Sequence, residues 1–243
     1  MGILFFQQNN NKKQLQHENS FRKSKGGVGK STLCMLFANY LANMEKEVCI
    51  VDVDLQRSIW SQRKSDEETY NGMEAPYSII TQDVKTPAAL EKFMQDAKKL
   101  EDTAILFDVP GNVTEDGLIP LFVNADVIVC PYKYEEKIIN STWTFVKVLN
   151  QLKVVYKEKG MNPLILFVPN SIDARIGTND ELSLWKDIDL AWNKLGCVTP
   201  RIPYRAKLQR VNTYSIFTEQ IDLVKDCFDF LIKKIFIDKN NNF

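Results

Sequence analysis

The stretch KGGVGKST, residues 25–32, sets three glycines between two lysines and closes on two hydroxyls. Glycines at 26, 27 and 29 let a backbone wrap closely around an oxyanion, because no Cβ stands in the way. Gly26, Gly27 and Gly29, with Val28 among them, therefore read as a phosphate-binding loop. Lys30 is placed to reach the β- and γ-phosphates of a triphosphate, and the Ser31 hydroxyl to ligate Mg2+. Thr32, at the opening of the following helix, can reach an α-phosphate. The strict pattern G-x-x-x-x-G-K-[ST] asks for glycine at position 24, where this chain has Ser24, and it has no use for Lys25.

Acids follow at spacings that suit the same chemistry. Asp52 and Asp54 come after the apolar run VCIV, so they emerge at the carboxyl end of a strand. Asp108 ends AILFD and leads into Pro110, Gly111 and Asn112, a turn able to sense a γ-phosphate. Phosphoryl transfer needs charge neutralisation and a positioned nucleophile rather than covalent help, so a carboxylate that holds a water suffices. Capping of a following turn is the plainer role open to Asp52 and Asp54. His17 is the only histidine and lies in a polar leader, which argues against histidine-based acid–base or triad catalysis.

These residues need elements to hold them, and the chain alternates between two patterns. Apolar runs at 47–54, 103–112, 125–132 and 163–170 read as buried strands, with a shorter one at 197–203. Segments 30–44, 87–100, 141–158, 179–196 and 218–236 carry apolar residues at helical spacing. Near-continuous apolar strands separated by helices imply an α/β fold, a mostly parallel central sheet with helices on both faces. Anions bind in such sheets beyond the carboxyl ends of the strands, which is where the loop and the aspartates fall.

The string K-G-G-V-G-K-S-T resembles the deviant Walker A motif of the ParA/MinD family of ATPases, and the likeness extends from Lys25 to about Phe236. It implies a P-loop, three-layer ATPase that binds ATP and Mg2+, hydrolyses slowly, and forms a homodimer when ATP is bound. By that resemblance Lys25 reaches across the dimer to the partner's phosphates. Asp54 orients the attacking water, Asp52 supports the magnesium shell, and Asp108 closes the Walker B strand. Asn170, just past the strand LFVPN, and Pro203, in TPRIPYR, resemble the segments that receive adenine; Asn170 is equally at home as a turn residue. The family's usual D-P-Q is here Asp54-Leu55-Gln56. LFDVPGN, DARIGT and LQRVNTY look closest to ParA-type proteins of conjugative-transposon transfer operons in Bacteroides-like bacteria, often labelled TraA. The output implied is positioning or assembly of DNA or transfer machinery, with a partner protein. Two other outputs stay open: a small-molecule kinase or ligase resembling dethiobiotin synthetase, and a non-hydrolysing interaction protein.

The whole-chain figures set the bounds. The 243 residues are 44% hydrophobic and 26% charged, and 31 basic residues balance 31 acidic ones, so no global field draws the chain to nucleic acid or membrane. A local basic cluster, Arg201, Arg205, Lys207 and Arg210, could touch DNA without sequence preference, or serve as a solvated face. The five cysteines never form a C-x-x-C pair, which suits a reducing, bacterial cytoplasmic setting, with nucleoid association expected if DNA is bound. No stretch approaches the roughly 18 apolar residues of a membrane span, and the acids in the last helix suit core packing better than membrane anchoring. Residues 1–24 read as a polar, poorly ordered leader, 25–237 as one domain, and 238–243 as a disordered tail. One feature is out of place. The residues just before Lys25 are polar and make a poor central strand, whereas the apolar candidate at 2–6 stands 18 residues (7–24) away from it. Residues 2–6 would then be a displaced or degraded first strand, or NSFRKS would be forced into its place.

Overall fold

The computed structural model describes residues 4–6, 19–22, 27–83, 87–97, 100, 102–110, 118–173, 175 and 177–237. Its strands are β1 (Leu4–Phe6), β2 (Asn19–Arg22), β3 (Glu47–Asp52), β4 (Ser78–Thr81), β5 (Thr103–Val109), β6 (Val127–Tyr132), β7 (Leu164–Pro169) and β8 (Cys197–Val198). The helices are α1 (Lys30–Asn43), α2 (Ser58–Thr69), α3 (Pro87–Ala97), α4 (Ile119–Val123), α5 (Glu136–Gln151), α6 (Lys153–Lys159), α7 (Asn179–Asn193) and α8 (Thr218–Ile232). The strands lie in one sheet in the order β4-β3-β5-β1-β6-β7-β8, with β2 sharing the slot between β5 and β6. The expected α/β architecture is the one observed.

Strand side chains alternate between faces, and both faces are dry. Cys49, Val51, Ile105, Phe107, Ile128, Cys130 and Phe167 belong to one core with α3, α4, α5 and Trp192 of α7. Val48, Ile50, Ala104, Leu106, Val127, Val129, Leu166 and Val168 form the other with α1 and α8. Val224, Cys227, Phe228 and Leu231 of α8 are all buried in that second core, where Phe228 meets Phe37 edge-on at 4.9 Å. Among the described residues no helix is long and apolar enough to cross a membrane.

The central slot resolves the odd beginning of the chain. β2 runs parallel to both neighbours, pairing Ser20 with Phe107, Phe21 with Asp108, Arg22 with Val109 and Asn19 with Val127. β1 fills the other half of the slot in the opposite direction, pairing Phe6 with Ile105 and Leu4 with Phe107 on β5 and Leu4 with Ile128 on β6. Two short segments thus occupy the place of one strand. A gap there would leave ladder N–H and C=O groups of β5 and β6 unpaired inside the sheet, which is costly enough to recruit a segment of poor intrinsic propensity. Residues 7–18 of the expected leader and the expected tail at 238–243 lie outside the described residues.

Three elements escape the sequence reading. α2 and α4 carry no clear helical stripe, and β4 is a four-residue edge strand. The helix expected over 141–158 begins earlier, at Glu136, and breaks after Gln151 into α5 and α6.

Candidate functional site

Parallel register carries Asp52 and Asp108 to adjacent strand ends, since β3 and β5 pair residue for residue from Glu47–Thr103 to Asp52–Asp108. Both share the parity of Ile50 and Leu106 and so face α1. They are fully buried. Burial, with Asp108 as the next cause, pushes the Asp52 carboxyl up to about 6 from an ordinary 3.8. The same surroundings keep the buried Cys34 thiol on α1 protonated, its pKa driven well up by burial and then by Asp108 and Asp52. It is no nucleophile.

α1 brings the loop residues to these acids. Gly29 caps the helix at φ 74° and Gly27 has φ 57°, left-handed values that a glycine adopts without penalty. Lys30, the first helical residue, is buried at 1% exposure. Ser31 Oγ donates to Asp108 Oδ2 at 2.6 Å, and Ser58 Oγ donates to Ser31 Oγ at 3.2 Å. Thr32 borders a cleft shared with Leu36, Asn170, Ser171, Ile202 and Gln209. Lys25 and Gly26 lie outside the described residues.

Asp52 is spent on backbone. Its Oδ2 accepts the amide N–H groups of Ile59 and Trp60, both at 3.1 Å, and its Oδ1 accepts that of Asp54 at 3.3 Å. A carboxylate at a helix N-terminus satisfies orphan donors and meets the positive end of the helix dipole, so Asp52 holds the start of α2 in place. Asp54, 6% exposed, accepts from Gln56 N at 3.0 Å, which folds residues 54–57 into a tight turn that passes through Arg57 at φ 48°.

On the other side, Asn170 follows β7 with its backbone N–H on Tyr132 O at 2.8 Å. Its side-chain amide donates to the Val28 carbonyl at 2.7 Å. Pro203 is bridged to Ile172, in a strand-like stretch held by Ile172 N–Ile202 O and Tyr204 N–Ile172 O bonds. Among the described residues, those assigned to phosphate, acid and base thus converge on the carboxyl edge of the sheet. The basic cluster is less uniform. Arg201 is committed to Asp189 at 2.9 Å and lies over the Tyr134 and Trp185 rings, and Lys207 pairs with Glu219. Arg205 and Arg210 are exposed.

Sequence reasoning missed Ser58 and a buried clamp on α2. Arg63 donates to Thr213 Oγ1 (2.8 Å), Thr213 O (2.9 Å) and Tyr77 O (3.0 Å), sandwiched between Tyr77 and Tyr214. Asp66 accepts from Thr213 N at 2.6 Å. A buried arginine inside a polar segment leaves no periodic trace; only the closeness of Ser58 to Asp54 in DVDLQRS could have hinted at that residue.

The family model described as the CobQ/CobB/MinD/ParA nucleotide binding domain matches residues 21–214. Comparison with curated proteins finds no match. Among solved structures, a plasmid partition protein of Borrelia burgdorferi bound to AMPPNP superposes with TM-score 0.63 at 16% identity, over 88% of this chain and 97% of that one. A Cyanothece McdA variant in complex with ATP gives 0.63 at 16% identity, covering 87% and 94%. The MinC:MinD cell division complex of Aquifex aeolicus gives 0.61 at 18%, covering 87% and 94%. At such identities these likenesses show the shared fold.

Proposed function

Because the chain belongs to the CobQ/CobB/MinD/ParA nucleotide-binding domain family, we propose that it is an ATP-driven switch that pairs with a second copy when ATP is bound and separates after slow hydrolysis. The observation that carries this is the Ser31 hydroxyl set 2.6 Å from the buried Asp108 carboxylate, next to the buried ammonium of Lys30. A hydroxyl and a carboxylate are hard oxygen donors suited to Mg2+. Among the described residues no three histidine, cysteine, aspartate or glutamate side chains converge as a self-sufficient metal centre, so phosphate oxygens and water would complete the shell. When bound, Mg2+ neutralises charge on the β- and γ-phosphates.

In this reading Gly26, Gly27, Val28 and Gly29 wrap the phosphates and Lys30 neutralises them. Thr32 meets the α-phosphate, and Asn170 and Pro203 flank the adenine. Asp54 accepts a hydrogen bond from the attacking water, and Asp52 keeps Asp54 in place by holding the turn that follows β3. Lys25 extends to the partner's phosphates. The solved relatives in complex with AMPPNP and ATP support the choice of ligand. The partition protein and MinD among them support a role in positioning cargo. Conjugal-transfer machinery is the cargo that the LFDVPGN, DARIGT and LQRVNTY segments favour. DNA contact would fall to the exposed Arg205 and Arg210.

Size-exclusion chromatography with light scattering tests the switch. The wild type should elute as a dimer with ATP·Mg2+ and as a monomer with ADP. Lys25→Ala should bind ATP yet neither pair nor hydrolyse it. A monomer under both nucleotides, or normal hydrolysis by Lys25→Ala, would overturn the reading.

A further inference from the structure

We infer that Asn170 is a positioning residue for the phosphate loop: its side-chain amide fixes the orientation of the Val28–Gly29 peptide. The inference rests on the nucleotide-binding reading above and adds a role to a residue otherwise assigned to the base.

The contact is short and dry. Asn170 Nδ2 lies 2.7 Å from Val28 O, with Asn170 at 6% exposure and Val28 at 0%. A trans peptide is planar, and its C=O and N–H point in opposite directions. Holding the Val28 carbonyl toward Asn170 therefore aims the Gly29 N–H the other way, toward the hollow of the loop where phosphate oxygens would sit. Backbone N–H groups stabilise an anion only when they already point at it, because reorienting them on binding consumes the gain.

This peptide needs an outside strut. Turning it over changes ψ of Val28 and φ of Gly29, and glycine accepts either sign of φ at little cost. Gly29 is observed at φ 74°, so the residue that follows the peptide does not by itself select one orientation. The fit between strut and loop is also tight: a Cβ on Gly29 would lie 2.9 Å from Asn170 Nδ2. Position 29 is glycine both for its backbone angle and for this approach. Asn170 itself is anchored, because its N–H is bound to Tyr132 O at 2.8 Å, and β6 and β7 pair in register from Val127–Leu164 to Tyr132–Pro169. The loop is thereby braced against the β6–β7 half of the sheet, across from β5. An amide has two N–H groups and a carbonyl oxygen. One N–H is taken by Val28, and the remainder can still face the adenine, so base and phosphate recognition pass through one side chain.

Inorganic tripolyphosphate separates the two roles, since it presents phosphates and no base. Binding of tripolyphosphate·Mg2+ and of ATP·Mg2+ is measured by calorimetry on the full chain and on Asn170→Leu and Asn170→Ser. Both substitutions are neutral, so no new charge repels the phosphates. Thermal unfolding certifies each variant, and either one alone decides the question if the other fails to fold. Loss of one oriented hydrogen bond should weaken tripolyphosphate about tenfold, and ATP at least as much. Tripolyphosphate affinity held within about twofold overturns the strut, whether or not ATP affinity falls. A wild type that binds neither ligand overturns the nucleotide reading and this one with it; a wild type that binds both, with loss confined to ATP, overturns only the strut.

Discussion

The two walls of the candidate site are built differently. On the acid wall, Asp52 and Asp108 issue from neighbouring strand ends in matched register, and their positions follow directly from the β3–β5 pairing. On the opposite wall, residues 199–217 form no long strand. They are laid along β7 by single backbone bonds, Thr199 N to Phe167 O and Ile202 N to Pro169 O, and are then pinned by Arg63 and Asp66 through Thr213. The first wall is fixed by the sheet, the second by side chains reaching from a helix. α2 serves both, for its start hangs on Asp52 and its middle holds Thr213. A disturbance in α2 should therefore be felt on both walls.

The largest effect that would sharpen this contrast is on binding. Lys30→Ala should weaken ATP about a thousandfold, or about 4 kcal/mol, through loss of charge-assisted contacts to phosphate. Its unfolding midpoint should stay near the wild-type value, which calorimetry on the same samples checks.

Arg63→Ala strikes the second wall. It removes three hydrogen bonds and two ring contacts from a site only 5% exposed. Denaturant unfolding should report a loss of about 3 kcal/mol. A loss under about 1 kcal/mol would mean that the wall is held by its backbone bonds instead.

A change in pH probes the first wall. Asp52 titrates at about 6 in the folded chain against an ordinary 3.8, because burial and then Asp108 oppose its charge. The folded chain thus binds this proton more tightly than the unfolded chain does. The contribution favours folding below about pH 4 and is lost as pH rises through 6. Asp52→Asn should flatten the stability–pH curve between those values by on the order of 2 kcal/mol relative to wild type. Equal slopes in the two proteins would show that burial does not raise the Asp52 pKa in the folded chain.

Lys207→Ala should do least. Its ion pair with Glu219 joins two side chains that are more than half exposed, and such pairs contribute within about 0.5 kcal/mol. Any weakening of DNA binding in a filter or anisotropy assay should then trace to Arg205 and Arg210 rather than to this lysine.

The amino-acid sequence alone determined the sheet-and-helix alternation, the glycine-rich loop ahead of α1, and the placing of Asp52, Asp54 and Asp108 at or just past strand ends, because each is encoded locally: apolar runs make buried strands, and closely spaced glycines free a turn. It did not disclose α2, whose buried residues are Ile59, Arg63 and Asp66 rather than an apolar stripe. It offered residues 2–6 and the polar segment from Asn19 as alternatives for the missing strand, but not that both complete the middle of the sheet, Leu4–Phe6 running antiparallel to β5 and Asn19–Arg22 parallel to it. Those outcomes were decided in three dimensions, where unpaired backbone between β5 and β6 costs more than the propensity of any one segment. The Asn170–Val28 bond belongs with them, since it joins residues 142 positions apart that nothing in the local pattern connects.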